Sequence, residues 1–370
     1  MRFTVEREHL LPALSFVRKY AAANNKIPIL ADVLIEAKDG RVSLTATDLD
    51  QAASDSVPAA VHLPGAATLP ATVLFDVIKG ASGTDVTIET DDQQARIACG
   101  KSKFKLPFML GSDFPPLPML TSEATTRFTI ANLGEIDRCV MFAAEPDKGR
   151  YFLAGVSWKV VDDRIEFVAT DGKKFSLMSI PAPVEARAMP AIIVPRFGAP
   201  AWTGDVNVFV SDLFIRYQSG EQVVASKLIE ASYPDYHRLI PKNDVHLLFD
   251  RDDLVAALSR MAVATSAGDS SILFVGRDGV ATISAESSGR EAVDEVSYRG
   301  GDFQISISCH AIAPIIASFD CEIIEWRFAR HDVGITIHDP RNEGRLALAM
   351  PVRDARLSAY IPSVFRDAAE

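Results

Sequence analysis

The residues with the most obvious chemical potential are a set of carboxylates and one lysine in a glycine turn. Asp48 and Asp50 follow the run Ser43-Leu44-Thr45-Ala46-Thr47, and Asp171 follows Glu166-Phe167-Val168-Ala169-Thr170. Paired carboxylates could hold a metal or act as acid and base. A short acidic side chain at a strand-to-turn junction can instead bond the backbone N–H groups ahead of it. The recurrence of the same run in another part of the chain favours turn chemistry, which repeats when a fold repeats. Gly100-Lys101-Ser102 suggests a phosphate loop, but that motif needs a glycine where Ala95 stands. The segment after it, Lys103-Phe104-Lys105-Leu106, alternates like a strand where a helix is required. The seven histidines show no ligand spacing. No serine lies in a G-x-S-x-G elbow. Cys99, Cys139, Cys309 and Cys321 form no C-x-x-C pair, so free thiols are expected and no metal. Nothing assembles an active site, and neither catalysis nor a cofactor is expected.

The elements that carry these residues form a repeat. Thr282-Ile283-Ser284-Ala285-Glu286-Ser287 is a weaker third copy of the strand-and-turn run. The copies lie roughly 120 residues apart, an ordinary domain size. Each third opens with a short strand and then an amphipathic helix. The strands are Phe3-Thr4-Val5, Phe128-Thr129-Ile130 and Leu247-Leu248-Phe249. Apolar residues at i, i+3, i+4 spacing follow: Leu10, Leu11, Leu14 and Val17, then Leu133, Ile136 and Val140, then Leu254, Ala257, Leu258 and Met261. Asp252 is the expected N-cap of the third. Second helices are expected at Thr72–Ala81, just after Pro195, and at His310–Phe319, where Pro314 should shorten or kink the helix. Proline-rich joints, Asp113 to Pro118 and Tyr233 to Tyr236, put domain boundaries near 121 and 245. The expected fold is α+β, with repeated domains at 1–120, 121–245 and 246–370.

The 370 residues carry a net charge of -11, with 48% apolar and 24% charged residues. This composition is that of a globular protein. No apolar run nears the roughly 18 residues of a membrane span, and the charged N-terminus does not read as a signal peptide. A cytoplasmic location and no membrane partner are expected. The acidity argues on average against nucleic acid, although one basic face can coexist with an acidic remainder.

The opening Met1-Arg2-Phe3-Thr4-Val5-Glu6-Arg7-Glu8-His9-Leu10-Leu11 closely resembles the start of the bacterial DNA polymerase III β subunit family, the β sliding clamps. Further matching landmarks are Ile27 to Leu30, Ala46 to Leu49, Val168 to Gly172, Ile193 to Arg196, Tyr233 to Tyr236 and Met350-Pro351, in the family's order. The resemblance implies a head-to-tail homodimer whose six clamp domains close a ring around duplex DNA. Helices would line the hole and carry the basic residues, with sheets outside. It implies a non-catalytic processivity subunit that tethers the replicative polymerase, the clamp loader and other partners.

By position, the resemblance implies DNA contacts at Arg18, Lys19, Asn24, Lys26, Lys148, Arg150 and Tyr151. It implies a peptide pocket of Leu153, Thr170, Gly172, Lys173, Lys174, Phe175, Pro234, Arg238, Leu239, Met350, Pro351, Val352 and Arg353. Plain core packing competes with that role at each apolar position. Phe104 and Leu106 would face Val263 and Ala264 of the second subunit. The chain departs from the family at Lys173-Lys174-Phe175, at Ala311, and in an extension over 354–370 that could pack beside the pocket. A divergent accessory clamp, a nuclease and a scaffold without DNA binding are the competing readings. The nuclease lacks a clustered metal site.

Overall fold

A computed structural model describes the chain except residues 23–25, 92–93, 141, 143, 145–148, 196–201, 266–270, 288, 331, 355–356 and 358–370. The first stretch contains β1 (Arg2–Glu6), α1 (Arg7–Val17), β2 (Asp32–Lys38), β3 (Arg41–Thr47), β4 (Gln51–Pro58), β5 (Ala60–Leu63), β6 (Gly65–Pro70), α2 (Ala71–Gly80), β7 (Asp85–Thr90), β8 (Ala95–Cys99), β9 (Ser102–Leu106) and β10 (Met109–Leu110). The next contains α3 (Pro118–Thr121), β11 (Thr126–Ala131), α4 (Leu133–Val140), β12 (Gly155–Val161), β13 (Arg164–Thr170), β14 (Lys174–Pro181), β15 (Ile192–Pro195), β16 (Asp205–Val210), β17 (Phe214–Ser219) and β18 (Gln222–Lys227). The last contains β19 (Val245–Asp250), α5 (Arg251–Ala264), β20 (Ser271–Arg277), β21 (Val280–Ser287), β22 (Arg290–Arg299), β23 (Phe303–Ser308), α6 (Cys309–Ala317), β24 (Ile323–Phe328), β25 (Ile335–Asp339) and β26 (Asn342–Ala349).

The plan repeats three times. A strand feeds a helix at β1–α1, β11–α4 and β19–α5, and a three-strand meander follows at β2–β3–β4, β12–β13–β14 and β20–β21–β22. The meanders turn alike: Asp39, Asp162 and Asp278 each have positive φ in the first hairpin, where a short polar side chain tolerates the left-handed region. Arg41 donates from Nε to Ser56 Oγ at 3.0 Å, and Arg164 donates from Nε to Ser179 Oγ at 3.0 Å, the same clasp in two copies.

The chain divides into two compact units, residues 1–133 with 202–228, and residues 134–201 with 229–370. The first holds a sheet in the order β5-β1-β7-β8-β9 and one in the order β10-β6-β2-β3-β4-β18-β17-β16-β11. The second holds the order β15-β12-β13-β14-β26-β25-β24-β19-β22-β21-β20-β23. In each unit a meander's third strand pairs with a strand distant in sequence, β4 with β18 and β14 with β26.

Helix burial follows the apolar spacing. Leu10, Leu14 and Val17 of α1 are buried, as are Leu74 and Ile78 of α2. In the second unit, Leu254, Ala257, Leu258 and Met261 of α5 join a core around Trp326, whose ring lies 4.9 Å from Phe249 and 5.2 Å from Phe274. The N-cap of α5 is Asp250 rather than Asp252: its Oδ1 accepts from the N–H groups of Asp252 and Asp253, both at 3.0 Å. A cap of this kind contributes about 1 kcal/mol. Asp252 sits within the first turn, its carboxylate accepting from Arg251. α6 runs through Pro314 and ends at Ala317, short of the expected Phe319. The helix expected after Pro195 falls outside the described residues, as does most of the 354–370 extension; Leu357 is described and buried.

Candidate functional site

The turn between β13 and β14 is the centre of the candidate site. Asp171 Oδ1 accepts from the N–H groups of Lys173 and Lys174, both at 2.8 Å. Thr170 Oγ1 donates to the Lys174 carbonyl at 2.7 Å and accepts from Gly172 N–H at 3.0 Å. The β3–β4 turn repeats this bonding: Asp48 Oδ1 accepts from Asp50 and Gln51, and Thr47 Oγ1 donates to the Gln51 carbonyl. Both carboxylates are therefore turn-makers.

In the β13–β14 turn, Lys174 points inward. Its Nζ lies 2.8 Å from Asp171 Oδ2, and both side chains are nearly closed to solvent. Burial pushes the Asp171 carboxyl up, but Lys174 and the two backbone donors outweigh it and hold the group below its ordinary range. Lys174 thus belongs to the turn rather than to a pocket surface. Phe175 is buried as well. Its ring lies 6.0 Å from Tyr236 and packs with Val168, Leu177 and Leu348, so it backs the wall from beneath. Both positions were expected to face a ligand. Their burial comes from the β14–β26 pairing, which sets Lys174 opposite Ala349 and Phe175 opposite Leu348.

Around this core the other expected pocket segments converge. The Lys173 carbonyl accepts from Met350 N–H at 3.3 Å. Beyond it, Pro351 bridges to Ile307, and Val352 N–H donates to the Ser306 carbonyl. Met350 and Val352 are exposed, as is Arg353. On the other flank Tyr236 is buried, its hydroxyl on the Glu166 carboxylate, and burial with that neighbour raises its pKa strongly. His237 Nε2 lies 3.2 Å from the same carboxylate. This fixes the loop that presents exposed Pro234 and Leu239, the latter 56% accessible. Arg238, paired with Asp235 at 2.8 Å, is open to solvent. Leu153 is buried, and Gly172 and Lys173 are exposed. The exposed apolar residues of these segments are therefore Leu239, Met350 and Val352, while Phe175 and Leu348 pack with Tyr236 in a buried cluster.

The expected DNA residues separate. Lys19 and Lys26 are exposed. Arg18 is half-buried: its guanidinium stacks 3.7 Å over the Phe75 ring, which reduces its freedom to follow a phosphate. Arg150 turns toward the pocket, donating from Nη2 to the Asp171 carbonyl at 3.3 Å. Gly172 stands beside it at φ +86°, where an added Cβ would lie 2.8 Å from Arg150 Nη1. Tyr151 is 58% exposed, edge-on to Phe152. Asn24 and Lys148 lie outside the described residues. The helices were expected to be basic, and they are not. Arg7, Lys79, Arg138, Arg251 and Arg260 are offset by Glu8, Asp76, Glu135, Asp137, Asp252 and Asp253.

Of the expected subunit contacts, Phe104 and Leu106 lie on β9, at the end of its sheet, with Phe104 39% exposed. Val263 is 75% exposed near the end of α5. Ala264, one residue on, turns inward and is buried in the core, so it offers no surface. Sequence reasoning did not single out β22, which carries exposed Glu291, Val293 and Glu295 in alternation, a period-2 signal readable beforehand. The four thiols are free. Among the described residues the one grouping with metal-ligand spacing is Glu6, Glu8 and His9, all exposed. Among the described residues no helix is long and apolar enough to cross a membrane.

Comparison with known proteins bears on what this surface serves. Residues 1–118 match the family "DNA polymerase III beta subunit, N-terminal domain", and residues 130–235 match its central domain. The chain is 30% identical to the beta sliding clamp of Caulobacter vibrioides over 376 residues, covering 95% of this chain and all of the relative. It is 28% identical to that of Escherichia coli K12 over 368 residues, with the same coverage. Among solved structures it resembles a DnaN sliding clamp from Bartonella birtlesii bound to griselimycin, with a TM-score of 0.89, 27% identity, and coverage of 96% of this chain and 100% of the other. A Caulobacter crescentus clamp gives a TM-score of 0.86 at 29% identity, covering 96% of this chain and 99% of that one. With the repeated strand–helix–meander plan, these matches over nearly the whole length make the chain a member of the DNA polymerase III beta subunit family, the beta sliding clamps.

Proposed function

We propose that two copies of this chain close head-to-tail into a ring that encircles duplex DNA and tethers the replicative polymerase, without catalysis of its own. The repeats over 1–120, 121–245 and 246–370 supply three domains per subunit. The clamp loader and other partners would share the surface around Leu239, Met350 and Val352, and the work would take place in the cytoplasm. Lys19, Lys26 and Tyr151 are the described residues best exposed for DNA. With helices of nearly balanced charge, their phosphate contacts would be weak, which suits sliding.

One observation carries the reading: two strand edges stand open where the other repeats are joined. The joints β4–β18 and β14–β26 place Ala53 opposite Val224 and Ser176 opposite Ala347. Counted from its own turn, Ala292 of β22 occupies the place of Ala53 and Ser176, since Glu286 pairs Glu291 as Thr47 pairs Ala52 and Thr170 pairs Phe175. Phe104 of β9 occupies the place of Val224, since Cys99 pairs Ser102 as Ser219 pairs Gln222. β9 pairs only β8, and β22 over 290–297 pairs only β21, among the described residues. A second copy completes the third joint, with Phe104 on Ala292, Lys105 on Glu291 and Lys103 on Val293. Phe104 and Leu106 then approach exposed Val263, whose carbonyl accepts from Arg290 at 3.4 Å. Opposite charges across a strand pair stabilise it by about 0.2–1 kcal/mol, and paired edges are also protected from aggregation.

The test is a Lys103→Cys, Val293→Cys double variant in a Cys321→Ser background. We expect light scattering to give twice 40.2 kDa at micromolar concentration and mild oxidation to give a covalent dimer. A 40.2 kDa species that never cross-links would overturn the reading.

A further inference from the structure

Arg345 is an arginine in an otherwise apolar stretch of β26, and its side chain is almost completely buried, at 3% exposure. Among the described residues no carboxylate lies within 4 Å of it. A buried charge without a counter-ion is costly unless other groups stabilise it, and here two helix ends do. Nη1 donates to Ser176 Oγ at 2.5 Å, and that hydroxyl donates to the Cys139 carbonyl in the last turn of α4 at 2.6 Å. Nη2 donates to Ser318 Oγ at 2.7 Å, and that hydroxyl donates to the Ile315 carbonyl at the end of α6 at 2.6 Å. The Phe319 ring lies under the guanidinium at 4.3 Å. The carboxyl ends of helices carry partial negative charge, so the two serines relay one cation to two helix termini. Burial lowers the Arg345 pKa to about 10, which leaves it charged at neutral pH.

The clasp lies directly behind the candidate pocket. β14 and β26 form the one strand pairing between the β12–β15 and β19–β26 segments in the described sheet. On one face of that pair, Ser176 and Arg345 hold the helix ends. On the other, Phe175 and Leu348 pack with Tyr236 in the buried cluster. We propose that Arg345 is a positioning residue for the partner-binding pocket: by fixing β14, β26 and the ends of α4 and α6 to one charge, it sets the spacing between the 170–174 turn and Met350. This rests on the reading of that surface as the partner site.

The probe is griselimycin, bound in solved clamps of this family, measured by calorimetry on the full dimer. Met350→Ala and Leu239→Ala should weaken binding at least fivefold; if both leave it unchanged, the pocket reading itself falls. Given that result, Arg345→Lys should weaken binding about fivefold at pH 7 and by a further tenfold at pH 9, as the buried ammonium loses its proton. Wild type should change far less across that window, because a guanidinium with a pKa of about 10 is still mostly charged at pH 9. Arg345→Met, if folded, should show the weaker affinity at both pH values. A folded Arg345→Lys protein that binds like wild type at pH 7 and pH 9, while Met350→Ala does not, would overturn the proposal and leave Arg345 a packing residue.

Discussion

Two turns in this molecule use the same bonds for different ends. Thr47 to Gln51 and Thr170 to Lys174 each close a meander by a threonine hydroxyl and an aspartate carboxylate. In the first, the left-handed position is held by Leu49 at φ +80°, whose side chain packs with Ile29, Leu30 and Phe114. Asp50 pairs with Lys227 at 2.9 Å, and the turn is engaged by its own unit. In the second, glycine takes the left-handed position, the lysine folds in, and the exposed rim of Gly172 and Lys173 borders Arg150 and Met350. One copy of the repeated turn thus leaves its rim uncovered, so the two copies should respond differently to equivalent changes.

The largest difference is expected at the aspartates. Asp171→Ala removes two turn bonds and the carboxylate facing the nearly closed Lys174 ammonium, and should cost about 3 kcal/mol. Asp48→Ala removes turn bonds at a more open position and should cost about 1 kcal/mol. Urea unfolding measures both; equal losses would remove the distinction. The sign with pH follows from the lowered Asp171 carboxyl. Its contribution is fully present above the ordinary value of 3.8 and is lost as pH falls through the lower folded value. Asp171→Asn should abolish that part of the acid sensitivity below about pH 4.

The left-handed positions should differ less. Gly172→Ala meets both positive φ and Arg150, and should cost about 1–2 kcal/mol. Leu49→Gly relieves backbone strain of about 1 kcal/mol but exposes part of a small apolar cluster, so its net effect should stay within about 1 kcal/mol. Thermal unfolding of the two variants distinguishes them, and a Leu49→Gly loss above 2 kcal/mol would show that packing, not strain, decides that turn.

Much of this was legible in the chain. Apolar spacing marked α1, α4 and α5, and the repeated Thr-Asp junctions announced turn chemistry rather than catalysis. What stayed hidden depends on contacts between distant segments. Lys174 and Phe175 read as surface because nothing local shows that β26 covers their strand. Ala264 read as interface beside Val263, although one step along a helix turns a side chain by about 100°. Asp252 looked like the cap because the strand ends only at Asp250, and helix ends resist assignment within a residue or two. The expectation of basic helices came from the resemblance rather than from the residues, and Asp252, Asp253, Glu135 and Asp137 argue against it. Arg345 could have been noticed as one charge among Leu346, Ala347, Leu348 and Ala349, but its partners, Ser176 and Ser318, lie far away in sequence.

If the protein holds DNA by encircling it, retention must depend on the topology of the DNA. The protein is loaded onto a nicked circle with a clamp loader, and dissociation is followed as salt rises, before and after the circle is cut to a linear form. Retention on the circle should change little with salt, because few phosphate contacts hold the ring, and loss should be rapid after linearisation. Equal loss from circle and line, with the same salt dependence on both, would contradict it.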